Sequence, residues 1–311
     1  MTELPGGIRR LTFELPFGIR HVHCYLLPGP DGWTLVDTGL GLPNAESRWE
    51  PVLAALGVPV GRIVITHFHP DHAGGGADAR ALTGADVLQG ADDYAQCERV
   101  WGRPDWSERL AEYLLRNGLP EPVAEELRHE SRTFAPFIRF ARDPGSLHEG
   151  DEVDGWRVLE LPGHADGHIC LLRDGVLVAG DHLLGEITPT VGLYPDSRPD
   201  PLGDYLASLR RTIELAPKLA LPGHGEPVSE PAGRAREIVE HHRLRLDETA
   251  AALGIEPRTG HEISVTLFGD GLDASGRRFA LAETLAHVER LVRTGRAART
   301  ENGGTLTYTA A

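Results

Sequence analysis

His67-Phe68-His69-Pro70-Asp71-His72 places three imidazoles and a carboxylate within six residues. The β-branched run Arg62-Ile63-Val64-Ile65-Thr66 leads straight into it. Histidines at i and i+2 after a strand can converge on one point if the chain bends there. Asp71 and His72, opening the next helix, can face a second point beside the first. Imidazole and carboxylate donors together suit zinc, and also iron or manganese, so donor type alone does not choose among them. Metal ions so held support hydrolysis, because they activate water at neutral pH and polarise a carbonyl or phosphoryl oxygen.

Three later loops offer one donor each: Leu161-Pro162-Gly163-His164, Val178-Ala179-Gly180-Asp181 and Leu221-Pro222-Gly223-His224-Gly225. In each, the donor follows an apolar strand and sits beside a glycine that lets backbone approach closely. With these residues in order, the sequence resembles the metallo-β-lactamase superfamily over roughly residues 10–230. The order His-x-His-x-Asp-His, His, Asp, His is matched without a gap. The resemblance implies an αββα sandwich of class α+β and two divalent metal ions, zinc first, with iron or manganese as alternatives. It implies His67, His69 and His164 around one ion, Asp71, His72 and His224 around the other, and Asp181 bridging them. A hydroxide shared by the ions would be the nucleophile, oriented by Asp71. Asp37, in Leu35-Val36-Asp37-Thr38-Gly39, would hold the far ring N–H of a ligand histidine; the alternative is a turn aspartate bonded to its own loop. His168 matches a structural histidine of the family. His21 and His23 form a pair with no Asp-His after it and read as a strand face or pocket wall. His182, His241 and His242 read as surface or packing residues.

Gly180-Asp181-His182-Leu183-Leu184-Gly185-Glu186 and the tail resemble the lactamase-beta-like branch, some members of which cleave single-stranded RNA. Thr66-His67-x-His69-x-Asp71-His72 and Gly167-His168-Ile169 are also similar to glyoxalase II, which acts on a glutathione thioester. The basic cluster that grips glutathione in such enzymes is not recognisable here. The leading expectation is hydrolysis of a small-molecule ester or thioester. A metal-dependent endoribonuclease is the alternative enzyme, and a non-catalytic metal-binding sensor the alternative outside catalysis, although no ligand is missing. RNA is not favoured as a partner, since a formal charge of −15 opposes general affinity for a phosphate backbone.

The elements that must position these residues follow from apolar spacing. Short strands fill Thr12 to Asp37, with a turn at Pro28-Gly29-Pro30-Asp31-Gly32. A helix is expected over Glu46–Leu56, a strand over Arg62–Thr66, a helix over Ala73–Leu82 and a strand over Asp86–Leu88. An aromatic-rich insert at about 90–145 carries helical patterns at Tyr94–Trp101, Ser107–Arg116 and Val123–Phe134, and serves as core, as a lid, or as both. Strands return at Trp156–Leu161, Ile169–Arg173 and Val176–Ala179, the last two joined at Asp174-Gly175. A helix near Leu202–Leu215 and a strand at Leu219–Leu221 complete a hydrolase domain of residues 1–230. Helices at Gly233–Leu253, Glu262–Leu267 and Phe279–Arg293 and a terminal hairpin make residues 231–311 a winged-helix-like domain. Its balanced charge favours packing or dimerisation over nucleic-acid reading, and a homodimer is left open.

Cys24, Cys97 and Cys170 are too few and too scattered for a disulfide framework and read as reduced structural thiols. No apolar run of about 20 residues suggests a membrane span, and no leader is visible at the N-terminus. A cytoplasmic protein is expected.

Overall fold

The computed structural model describes residues 1–16 and 18–311; Phe17, inside the strand region expected from Thr12 to Asp37, lies outside the described residues. Two sheets face one another. The first runs β1 (Thr2–Glu3), β2 (Arg9–Glu14), β3 (His21–Pro28), β4 (Trp33–Val36), β5 (Val60–Ile65), β6 (Asp86–Gly90), β7 (Gly145–Leu147). The second runs β12 (Leu219–Pro222), β11 (Val176–Gly180), β10 (Ile169–Arg173), β9 (Trp156–Glu160), β8 (Glu152–Val153). Pairing in the first sheet is antiparallel as far as β4 and parallel from β4 to β7. In the second, β11 and β12 are parallel and the rest antiparallel.

The period-two alternation of strands decides which core each side chain joins. Tyr25, Leu27, Val36 and Val64 of the first sheet meet Trp156, Val158, Ile169, Leu171, Val178 and Leu221 of the second in the central layer. Their neighbours Cys24, Leu26, Leu35, Ile63 and Ile65 point the other way, toward α1 (Ala45–Ala54), α3 (Gly76–Thr83) and α4 (Ala91–Val100). On the far side of the second sheet, Leu159, Cys170, Leu177, Ala179 and Ala220 pack on α7 (Pro201–Leu215) and α8 (Pro231–Ala252). The result is the αββα sandwich expected from the sequence. Cys24, Cys97 and Cys170 are all buried and unpaired.

The helix expected over Ala73–Leu82 is instead two pieces, α2 (Pro70–Ala73) and α3. Gly74 and Gly75 separate them because the backbone here is pressed against neighbours: a Cβ at Gly74 would lie 3.0 Å from the Phe137 carbonyl, and one at Gly75 2.7 Å from that of Thr38. Strand β7, at the end of the insert, has no counterpart among the expected elements; it joins the edge of the first sheet parallel to β6.

The remaining helices of the insert, α5 (Trp106–Arg116) and α6 (Glu121–Phe134), do not pack on the sandwich alone. Leu110, Leu114, Leu119 and Leu127 share a core with Ile263 of α9 (Gly260–Phe268), and with Leu281, Leu285 and Val288 of α10 (Ala274–Arg293). Tyr308 of the terminal hairpin β14 (Ala297–Asn302)–β15 (Thr305–Ala310) completes it, and β13 (Arg258–Thr259) extends the hairpin to three strands. Thr259 opens α9 with a reciprocal cap, its hydroxyl accepting from the Glu262 N–H while Glu262 accepts from the Thr259 N–H. No described helix is long and apolar enough to cross a membrane.

Candidate metal centre

Five of the seven donors singled out from the sequence, and Asp37 behind them, follow the end of a strand, while Asp71 and His72 lie in the short helix α2 that comes next after β5. Asp37 follows β4, His67 and His69 follow β5, His164 follows β9, Asp181 follows β11 and His224 follows β12. The structure brings His67, His69, Asp71, His72, His164, Asp181 and His224 together. Ligand atoms of His67, His69 and His164 lie within 4.8 Å of one another, as do those of Asp71, His72 and His224, and those of His67, His72 and Asp181.

The spacing suits metal ions. A tetrahedral ion with bonds of about 2.1 Å separates its donors by about 3.4 Å. His224 Nε2 lies 3.4 Å from Asp71 Oδ2 and 3.3 Å from Asp181 Oδ2. His72 Nε2 lies 3.5 Å from Asp181 Oδ1, and His164 Nε2 3.6 Å from Asp181 Oδ2. The carboxylate of Asp181 therefore reaches donors on both sides of the cluster. Four of the inward atoms, His67 Nε2, His72 Nε2, His224 Nε2 and Asp181 Oδ1, are buried with no hydrogen-bond partner. Orphaned polar atoms in such numbers are costly unless an ion satisfies them. Gly223 keeps the space open, since a Cβ there would collide with Asp181 Oδ1 and lie 2.6 Å from a ring carbon of His72.

The outward ring nitrogens are tied down one by one, which fixes the inward nitrogens as donors. Asp37, itself buried and held at a left-handed φ of 61°, accepts from His72 Nδ1 at 2.8 Å and from both the N–H and the hydroxyl of Thr66 at 2.8 Å. The Thr66 hydroxyl, donating to Asp37, accepts from His67 Nδ1 at 3.0 Å. One carboxylate thus orients two of the histidines. His164 Nδ1 donates to the Thr190 carbonyl at 2.8 Å, and His224 Nδ1 to that of His21 at 2.6 Å. His69 differs, since its Nδ1 faces His164 Nε2 at 2.8 Å inside the first pocket.

Protonation differs across the cluster. Burial, then the neighbouring His164, pulls the His69 pKa down to about 3. Burial and the surrounding imidazoles also lower His67, and burial lowers His164. Burial disfavours a charge on His224 too, but the carboxylates of Asp181 and Asp71 more than reverse it and raise its pKa to about 10. His72 is held well above the ordinary range in the same way by Asp181, Asp37 and Asp71.

Of the supporting residues, Asp93 carries no signal in the sequence, whereas His21, His23 and His168 do. Asp93, fully buried in α4, accepts from the Phe68 N–H at 3.0 Å and from Gln89 at 2.6 Å, bracing the loop between His67 and His69. Burial pushes its pKa up to about 8, against the pull of those two donors. The pair read as a strand face or pocket wall clamps the last loop: His21 Nε2 accepts from the Gly225 N–H at 3.2 Å and His23 Nε2 donates to the Gly225 carbonyl at 2.9 Å. His168 stacks on His67 with ring centroids 4.8 Å apart and accepts from the Asp181 N–H at 3.2 Å. His182 and His242 are buried packing residues rather than surface ones. Beside the loop, Phe68 stacks on Trp101, and Trp101 meets Trp106 edge-on at 4.7 Å.

Comparison with known proteins gives the same picture. The profile described as "Metallo-beta-lactamase superfamily" matches residues 17–224, and that described as "Metallo-beta-lactamase-like, C-terminal domain" matches residues 246–311. The Bacillus subtilis protein named "Probable metallo-hydrolase YqjP" is 30% identical over 89% of this chain and 89% of its own. A protein of Claviceps purpurea named "Atrochrysone carboxyl ACP thioesterase" is 24% identical over 79% of this chain and 66% of its own. A solved metallo-beta-lactamase family protein from Thermus thermophilus superposes with a TM-score of 0.85 at 37% identity, covering 99% of each chain. A beta-lactamase domain protein from Burkholderia ambifaria superposes with a TM-score of 0.87 at 29% identity, covering 100% of this chain and 94% of its own.

Proposed function

The chain belongs to the metallo-beta-lactamase superfamily and is a metal-binding hydrolase of that family, and from that premise we propose that it hydrolyses a small-molecule ester or thioester with two divalent metal ions. The observation that carries this reading is the set of four buried, unpartnered atoms aimed inward from His67, His72, His224 and Asp181. In this reading His67, His69 and His164 would hold one ion, Asp71, His72 and His224 the other, and Asp181 would be shared between them. Zinc is the first choice for this donor set, with iron or manganese as alternatives. When bound, such ions would supply a nucleophile from water at neutral pH and polarise the carbonyl under attack.

The chain's own residues contribute orientation. Asp37 keeps the Nδ1 proton of His72 directed outward and, through the Thr66 hydroxyl, that of His67. Asp71, whose Oδ2 lies 3.4 Å from His224 Nε2, would orient the attacking water. The half-buried rings of Trp101 and Trp106 give an apolar flank close to His69, suited to the acyl part of an ester more than to a polyanion. The name of the fungal thioesterase relative points toward a thioester, and the charge of −15 weighs against RNA. The C-terminal segment is read as a winged-helix-like unit used for packing.

The test is metal analysis of the purified protein followed by panels of acyl thioesters, lactones and single-stranded RNA. Two equivalents of metal and thioester or lactone turnover are expected, with His69→Ala lowering kcat/KM on the order of 1000-fold, equivalent to about 4 kcal/mol of transition-state stabilisation. RNA cleavage that disappears in His69→Ala would overturn the choice of substrate.

A further inference from the structure

Within the segment between β11 and α7, residues 186–200 touch both the metal cluster and the C-terminal helix α10. Thr190 offers its carbonyl to His164 Nδ1 at 2.8 Å. Three residues on, the Leu193 N–H donates to the Ala282 carbonyl of α10 at 3.0 Å. Between them the chain is in tight contact with the helix. A Cβ at Gly192 would lie 3.1 Å from the Ala282 Cβ of the helix and 2.6 Å from the Tyr194 ring of the segment itself, so the segment fits closely against α10 only with glycine here. Val191, fully buried, packs in the same core as Ala286, one turn along α10. Arg290 then fixes the end of the segment by pairing with Asp200 at 2.6 Å, and Asp200 in turn caps α7 by accepting from the Gly203 N–H.

The Thr190 carbonyl decides which nitrogen of His164 carries the proton. While it accepts from Nδ1, Nε2 is left as a lone pair facing the cluster, with His69 Nδ1 2.8 Å away. A backbone carbonyl can hold that role only if the peptide bearing it is fixed, and the nearest fixed points on the far side of the peptide belong to α10.

We propose that α10 is a positioning element for the metal centre: by bracing Gly192 and Leu193 against Ala282, it holds the Thr190 carbonyl where it sets the tautomer of His164. Gly192 and Ala282 are the positioning residues. They touch neither substrate nor metal, and act only through Thr190. The link to metal affinity rests on the proposed ligand role of His164, but the link to its tautomer does not.

Two variants load the contact from opposite sides, Ala282→Leu from the helix and the milder Gly192→Ala from the segment. Arg299→Ala is the control, because it breaks a pair with Glu289 in the same C-terminal unit at 2.7 Å without touching residues 186–200. The first readout is the imidazole nitrogen spectrum of the metal-free protein. In both test variants the His164 signals should move from a single Nδ1–H form toward a mixture, while those of His67 and His224 keep the wild-type pattern; the control should leave all three unchanged. The second readout is zinc affinity resolved by site, where the His164 site should weaken about tenfold, the low end for loss of a partner behind a ligand histidine, with the other site unaffected. A wild-type His164 pattern in Gly192→Ala and Ala282→Leu overturns the proposal, and so does the same change in the control. If the tautomer shifts as expected while wild-type protein binds no zinc, the ligand assignment fails and the bracing role stands.

Discussion

The pocket formed by His67, His69 and His164 and the pocket formed by Asp71, His72 and His224 share Asp181 as a common wall, yet they hold protons in opposite ways. In the first, imidazoles face imidazoles, and burial keeps them neutral, with His69 pulled down to about 3. In the second, carboxylates outnumber what burial can suppress, and His224 is raised to about 10. A neutral pocket accepts a cation without first giving anything up. The other must release protons before a metal can enter. The two ions would therefore differ in how strongly they are retained as conditions change, even though the donors lie within a few ångströms of one another.

The sharpest way to break this contrast is through Asp37 and Thr66. Asp37 serves His72 directly and His67 through Thr66, so Asp37→Ala should weaken metal binding in both pockets, by roughly 10- to 100-fold each. Thr66→Val removes the partner of His67 alone and should weaken only the first pocket. Site-resolved titration checks both, and equal effects of the two substitutions would show that the pockets are not separately oriented. A graded effect, spread over the pH scale, comes from protonation. A histidine with a raised pKa is protonated at neutral pH, and metal competes with that proton. Affinity of the second pocket should rise about tenfold or more per pH unit between pH 6 and 9, and fall as pH drops. The first pocket, already neutral, should stay nearly flat over that window. Calorimetric titrations at several pH values would show parallel slopes if the contrast is wrong.

The smallest effect concerns Asp93, beneath the first pocket. With its pKa raised to about 8, the folded state keeps a proton that the unfolded chain has lost above about pH 4. Its contribution to stability is therefore present at low pH and is lost as pH rises toward about 8, by at most about 1.4 kcal/mol per unit. Asp93→Asn should abolish that slope, shifting Tm by a few degrees at pH 8 relative to wild type. Thermal melts from pH 5 to 9 compare the two, and parallel curves would show that Asp93 is ionised throughout.

The donors are legible in the sequence because each follows from a short run with a strong local signature: an apolar strand and a polar side chain, with a glycine beside His164, Asp181 and His224. His67, His164, Asp181 and His224 can be placed at strand ends before any tertiary contact is known, and the alternation of Cys24-Tyr25-Leu26-Leu27 already specifies two faces. What holds the donors cannot be read in the same way. The acceptors behind His164 and His224 are backbone carbonyls of Thr190 and His21, and a carbonyl has no residue type to recognise. Asp93 sits in an ordinary helix start and Gln89 at the end of β6, and only the fold brings Asp93 under Phe68. The break between α2 and α3 escapes the sequence for a related reason: Gly74 and Gly75 are tolerated within a helical pattern, and the crowding by Phe137 and Thr38 that ends the helix is entirely non-local.

The core shared by α5, α6, α9, α10 and the terminal hairpin has a consequence for modularity. Leu110, Leu114 and Leu127 come from the middle of the chain, whereas Ile263, Leu285 and Tyr308 come from its end. Neither segment can be transplanted alone. A chimera that takes residues 246–311 from a relative inherits one half of an interlocked surface and must take residues 106–127 with it. Substitutions in these two stretches are thus expected to travel as pairs between homologues, so that the tail, although separate along the sequence, is inherited as one unit with the insert.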